Sequence, residues 1–235
     1  MLFASLVSAV LWCASITLFV CLGSVYVLVG LLASPRALHP IARWACRALL
    51  LSAGQVLRVQ GSFPPVKDGP YLYLFNHTSL LDTFVAIAVI PEFTGAVGKK
   101  EQFEVPIWGR ILRHWGAVPI DRSDRSDAIE RLADVGRAVA DGQSLLVAPE
   151  GTRSPDGTLG PFKKGPFHVA VQQQATVVPI VISGAFQAKR KDSWLLRPGR
   201  ITVRVGAALV TRDRPGCTVE DLQQEARGVF VEQLS

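Results

Sequence analysis

The distribution of apolar residues divides the chain into a uniformly hydrophobic start and a patterned remainder. Between residues 2 and 35 there is no charged side chain, and Leu, Val and Ala dominate. That run exceeds the ~20 apolar residues with which a helix crosses the ~30 Å hydrocarbon core of a bilayer. It has no basic leader, is overlong for a cleaved signal and shows no clear small-x-small cleavage site, so it predicts a retained membrane anchor. One straight helix over the run would be about 51 Å long. The anchor is therefore expected to tilt strongly, to break at Gly23 or Gly30, or to fold back as two helices in one leaflet, with spanning preferred over re-entry.

The next stretch, HPIARWACRALLLSAG, changes to a helical period. Pro40 suits a first turn, Arg43 and Arg47 share one face, and Ile41, Trp44, Ala45, Ala48 and Leu49 supply apolar surface. Two readings fit it equally: a helix packed on the domain that follows, and a basic interfacial helix on anionic lipid.

Beyond residue 55 short apolar or β-branched runs alternate with helical patterns. Strands are predicted at 56–59, 71–75, 95–98, 117–120, 144–148, 177–182 and 201–205, and helices over 80–90, 105–113, 126–140, 166–173 and 219–233. The alternation predicts an α/β fold, a single domain with a mostly parallel sheet flanked by helices, preceded by the membrane-embedded helical anchor. The expected division is 1–54 for the anchor and basic helix, and 55–235 for the α/β domain.

Charge adds an orientation. Of the formal net charge of +6, four units come from Arg36, Arg43, Arg47 and Arg58, since the first 60 residues hold no acid. A basic flank beside an apolar run belongs on the cytoplasmic side. The basic residues are too few, and too little interleaved with aromatics, for a nucleic-acid surface. Cys13, Cys21, Cys46 and Cys217 form no C-x-x-C and no zinc-type spacing with histidine, so neither a metal site nor a disulfide framework is expected.

In parallel-type sheets the loops after strands build the ligand site, and here those loops are polar. NHTSLLD follows the second strand, KKEQF the third, Asp121–Arg122 the fourth, and PEGTRSPDG with GPFKKGP the fifth. Cations at successive strand ends, Lys99, Lys100, Arg122, Arg153, Lys163 and Lys164, point to an anionic ligand of phosphate type. Arg153 is favoured because a planar guanidinium grips phosphate bidentately, whereas Lys163 and Lys164 fit a solvated turn equally well.

Within NHTSLLD, Ser79 and Asp82 match the S-x-x-D capping box, and His77 lies five residues before Asp82. If Ser79 caps the helix and Asp82 reaches back from its first turn, carboxylate and imidazole meet. His39, His114 and His168 lack such a partner. The nucleophile-elbow, zincin, Walker and dinucleotide motifs are absent.

NHTSLLD, GAVPIDRS, PEGTRS and VVPIVISG, in that order, resemble the four sequence blocks of the glycerolipid acyltransferases, with the closest likeness to bacterial 1-acylglycerol-3-phosphate acyltransferases. The resemblance covers roughly residues 70–185. It implies that His77 is the catalytic base and Asp82 its orienting partner. Arg122, Glu150, Gly151, Thr152, Arg153, Lys99 and Lys163 become the candidate substrate-binding residues, and Pro179 is the proline of the fourth block. It further implies acyl transfer from acyl-CoA or acyl-carrier protein to the sn-2 hydroxyl of lysophosphatidic acid or a related lysolipid, with no bound cofactor. The expected setting is the cytoplasmic face of a bacterial inner membrane. A lipid-phosphate binding module without turnover is the competing class.

Overall fold

The fold is that of a computed structural model, which describes residues 2–121, 125–212, 214 and 216–234, with 125–129 as backbone only. All seven expected strands form, each within two residues of its expected limits: β1 (Gln55–Gln60), β2 (Tyr71–Phe75), β3 (Thr94–Lys99), β4 (Val118–Ile120), β5 (Ser144–Val147), β6 (Thr176–Ser183) and β7 (Gly199–Val205). They make one sheet in the order β1-β7-β6-β2-β5-β3-β4. Only the β6–β7 pairing is antiparallel. The helices are α1 (Leu2–Val29), α2 (Pro35–Ser52), α3 (Asp82–Val89), α4 (Trp108–Trp115), α5 (Arg125–Ala140), α6 (Gly165–Gln172), α7 (Ala185–Ala188) and α8 (Val219–Leu234).

The central strand shows why the run YLYLF reads as continuous apolar sequence. All five residues of β2 are buried, as expected where both faces of a parallel sheet are covered. Alternation sends Tyr71, Tyr73 and Phe75 into a core with α2 and α3, and Leu72 and Leu74 into a second core with α5, α6 and α8. The loops after β2, β5, β3 and β4 consequently emerge along one edge of the sheet.

The start of the chain meets some expectations and departs from others in three details. First, α1 runs unbroken through Gly23 for 28 residues, about 42 Å, and the chain turns only at Gly30. Second, α1 is docked on the domain along one stripe. Ser8 Oγ accepts from the Leu196 amide at 2.8 Å, Leu11 and Trp12 pack on the core, Phe19 meets Phe84 and Trp108, and Tyr26 bonds His114 at 3.1 Å. Its remaining faces expose Phe3, Leu6, Val10, Ile16, Val20 and Leu28. A helix held this way lies along the domain rather than standing free of it.

Third, α2 begins at Pro35, capped by Ser34, so Pro40 sits inside the helix rather than in its first turn. Its basic face makes the packing contacts that one of the two readings expects. Arg43 donates to Val89 O at 3.3 Å and Arg47 to Ala88 O at 3.1 Å, placing two cations on the C-terminal carbonyls of α3. The exposed residues of α2 include Ile41, Trp44 and Leu51 together with Arg36 and Arg47.

Candidate active site

His77 leaves the C-terminal end of β2, and α3 begins five residues later at Asp82. The regular helix thus starts later than a Ser79 cap predicts. Ser79 still caps the preceding turn, its Oγ accepting from the Leu81 amide at 3.2 Å, while Asp82 reaches back as expected. Its Oδ2 accepts from His77 Nδ1 at 3.0 Å, from the Thr78 amide at 2.6 Å and from the Ser79 amide at 2.7 Å. The Asp82 side chain is fully buried and that of His77 is 18% exposed. A carboxylate holding three N–H donors in this enclosure fixes the imidazole with hydrogen on Nδ1 and leaves Nε2 to act as an acceptor. The Phe75 ring packs edge-on against the imidazole at 5.6 Å.

The third block approaches from the end of β5. Glu150 is buried, and both of its oxygens are taken by main chain: Oε1 accepts from the His77 amide at 2.7 Å and Oε2 from the Gly160 amide at 2.9 Å. Burial raises its carboxyl above the ordinary range, against the two amides, which lower it. Glu150 therefore ties the histidine loop to the 157–162 loop. Gly151 adopts φ +74°, a left-handed turn closed by its amide on Ala148 O, and this conformation is what calls for glycine there. Thr152 is exposed. The Ser154 amide donates to His77 O at 2.8 Å, which brings the neighbouring Arg153 beside the histidine loop.

The cations divide into two groups. Lys163 follows Gly151 in space, its side chain within contact distance of that turn. Lys99 instead pairs with Glu101 at 2.8 Å, Lys100 approaches Asp121 at 4.0 Å, and Lys164 turns to Glu220 on α8 at 2.6 Å. Arg122 lies outside the described residues. Pro179 stands in β6 where the ladder to β7 ends, its carbonyl accepting from the Gly206 amide.

Two participants escaped sequence reasoning. Asn76 grips the end of β6 with both side-chain atoms, Nδ2 to Ile182 O at 2.8 Å and Oδ1 from the Ile182 amide at 2.7 Å. Buried Lys189 has its pKa lowered by burial and then by the Arg153 guanidinium, and its carbonyl accepts from Ser79 Oγ at 2.9 Å. The asparagine beside the histidine was a legible signal; the lysine, 110 residues from Ser79, was not.

An apolar cavity of about 100 Å³ opens between the sheet and the first four helices. Thr83, the residue after Asp82, lines it together with Phe19, Tyr26, Ala45, Phe84 and Trp108. The lining is almost wholly apolar and includes the side chain that follows Asp82 in sequence.

The acyltransferase family model matches residues 56–183, more than half of the chain. The chain belongs to the acyltransferase family. Relatives include 1-acyl-sn-glycerol-3-phosphate acyltransferase of Cocos nucifera, 35% identical over 189 residues, covering 80% of this chain and 61% of the relative. The alpha enzyme of that name from Mus musculus is 35% identical over 192 residues, covering 78% and 65%. The chain thus spans about three fifths of the length of the curated relatives it matches. The crystal structure of the 1-acyl-sn-glycerophosphate acyltransferase PlsC from Thermotoga maritima superposes with TM-score 0.81 at 21% identity, covering 98% of this chain and 97% of that one, so the two share a fold.

Proposed function

We propose that this acyltransferase moves a fatty acyl group from an acyl thioester to the sn-2 hydroxyl of 1-acylglycerol-3-phosphate, giving phosphatidic acid. The observation that carries the reading is the His77 imidazole, held through Nδ1 by a buried carboxylate that also accepts two backbone amides. Relatives bearing the name of this activity supply the acceptor class.

In this reading Nε2 of His77 takes the proton of the acceptor hydroxyl, and the oxygen attacks the thioester carbonyl. The C–O bond forms, the C–S bond breaks, and the thiolate leaves. A thiol with pKa near 8.5 leaves readily as the thiolate and then takes the proton held on Nε2, so His77 serves both proton transfers, is returned to its starting state, and no enzyme nucleophile is needed. Arg153 and Lys163 hold the acceptor's phosphate, with Arg122 and Thr152 as further contacts. Glu150 and Gly151 shape the loop instead of touching substrate. Lys99, paired with Glu101, reaches the phosphate only by exchanging that partner. The apolar cavity takes an acyl chain, and acyl-CoA or acyl-carrier protein is the donor.

The apolar helix α1 and the outward side of α2 rest in the bilayer, on the cytoplasmic face of a bacterial inner membrane where donor thioesters are available. Because α1 is docked along its length, this reading seats it within one leaflet rather than across both. The test is transfer of one labelled acyl-CoA to a panel of lysolipids presented in vesicles. The reading predicts the highest kcat/KM for 1-acylglycerol-3-phosphate; a higher value for a lysophospholipid or lyso-aminolipid overturns the acceptor, and no transfer to any acceptor overturns the enzyme.

A further inference from the structure

The loop between α7 and β7, residues 189–198, carries features that neither the fold nor the chemistry uses. Its main chain is pinned at three points. Trp12 of α1 donates from Nε1 to Trp194 O at 2.7 Å, the Leu196 amide donates to Ser8 Oγ, and Gln55 Nε2 donates to Arg197 O at 2.7 Å. Inside the loop, Lys189 Nζ donates to Arg190 O and Ser193 O. A loop tied down this thoroughly has the means to bury its one large aromatic ring, and Leu196 is in fact buried. Yet Trp194, whose carbonyl meets Trp12 of the exposed, apolar α1, is 55% exposed.

Charge surrounds the ring. Residues 189–200 hold Lys189, Arg190, Lys191, Arg197 and Arg200 against a single acid, Asp192. Asp192 is already paired with Arg190, whose guanidinium also lies over the Phe186 ring at 5.4 Å. Lys191, Arg197 and Arg200 are exposed. An exposed tryptophan among exposed cations, next to an apolar helix, matches the composition of the bilayer's headgroup layer, where an amphipathic ring sits at the boundary and cations meet lipid phosphates.

We infer that this loop is a second membrane contact, with Trp194 seated at headgroup level and Lys191 and Arg197 facing anionic lipid. The inference rests on the reading of α1 as lipid-facing. It adds a consequence for the site: Ser79 Oγ donates to Lys189 O, so the same loop that touches the headgroups also touches the turn between His77 and Asp82. The loop therefore sets the depth of the histidine relative to the lipid surface, whereas α1 supplies attachment.

The test reconstitutes the full chain in bilayer discs whose phosphatidylcholine is brominated either high on the acyl chains or near their ends. Tryptophan quenching is compared between wild type and Trp194→Phe. The inference predicts that the variant loses a component quenched by the high bromines and keeps the rest of the profile. Identical profiles overturn it. Flotation with phosphatidylglycerol against phosphatidylcholine vesicles then reads the charges: Lys191→Ser with Arg197→Ser should reduce the preference for the anionic vesicles about five-fold per cation removed. A preference that survives the double change overturns the anionic-lipid part. Should wild type fail to float with either vesicle, it is the reading of α1 that falls.

Discussion

One oxygen of Asp82 receives three N–H groups, and the other, Oδ1, is buried without a hydrogen-bond partner among the described residues. The asymmetry marks this carboxylate as a positioning group whose whole capacity is aimed at the histidine loop. Glu150 performs the same service from behind, through the backbone of His77. An amide in its place has only one accepting oxygen, so Glu150→Gln leaves the His77 or Gly160 amide unpaired at a cost of about 1–3 kcal/mol. kcat should fall more than the acceptor's KM rises, which steady-state kinetics checks; a pure rise in KM would return Glu150 to the substrate site. Its raised carboxyl also gives a sign. A group whose folded pKa lies above the unfolded value stabilises the fold below the unfolded pKa and loses that contribution as pH rises through the folded one. The Tm deficit of Glu150→Gln should accordingly be larger at pH 4 than at pH 7, measured by thermal unfolding. The histidine–aspartate pair was readable from five-residue spacing and a capping pattern. The structural role of Glu150 was not, because a carboxylate in a loop gives no sign of whether its partners are main-chain amides or a ligand.

At the level of elements, α3 joins the site to the N-terminal helices. Its first turn presents Asp82 and its last carbonyls receive Arg43 and Arg47 from α2. Arg47→Ala removes a charge-assisted bond at a helix C-terminus and should destabilise by about 1 kcal/mol, visible as a lower Tm with vesicle binding unchanged. Loss of vesicle binding without loss of stability would place that arginine on lipid. The period of the α2 sequence showed correctly that the two arginines share a face. It could not show which neighbour that face meets, since periodicity describes one helix and docking needs two. The strands were legible for the opposite reason: β2 is buried on both sides, so its apolar run needs no partner to be recognised.

For the molecule as a whole, the apolar cavity depends on α1 and α2 as much as on the sheet. The N-terminal helices and the site are consequently not separable parts, and the length of the apolar segment, which suggested spanning, said nothing about the stripe from Ser8 to Tyr26 that docks it. Ala45 lines the cavity from α2, so Ala45→Phe should fill part of it and shift the kcat/KM ratio toward shorter acyl donors, by roughly ten-fold for two methylenes at ~0.8 kcal/mol each. An unchanged chain-length profile would put the acyl chain elsewhere. The central claim is that His77 is the base that activates the acceptor hydroxyl. It is tested most directly by His77→Ala, assayed for transfer of a labelled acyl group to 1-acylglycerol-3-phosphate in vesicles, with folding and membrane association followed in parallel. The account predicts a fall in kcat of about 10²–10⁴-fold with fold and flotation intact; turnover within a few-fold of wild type would contradict it.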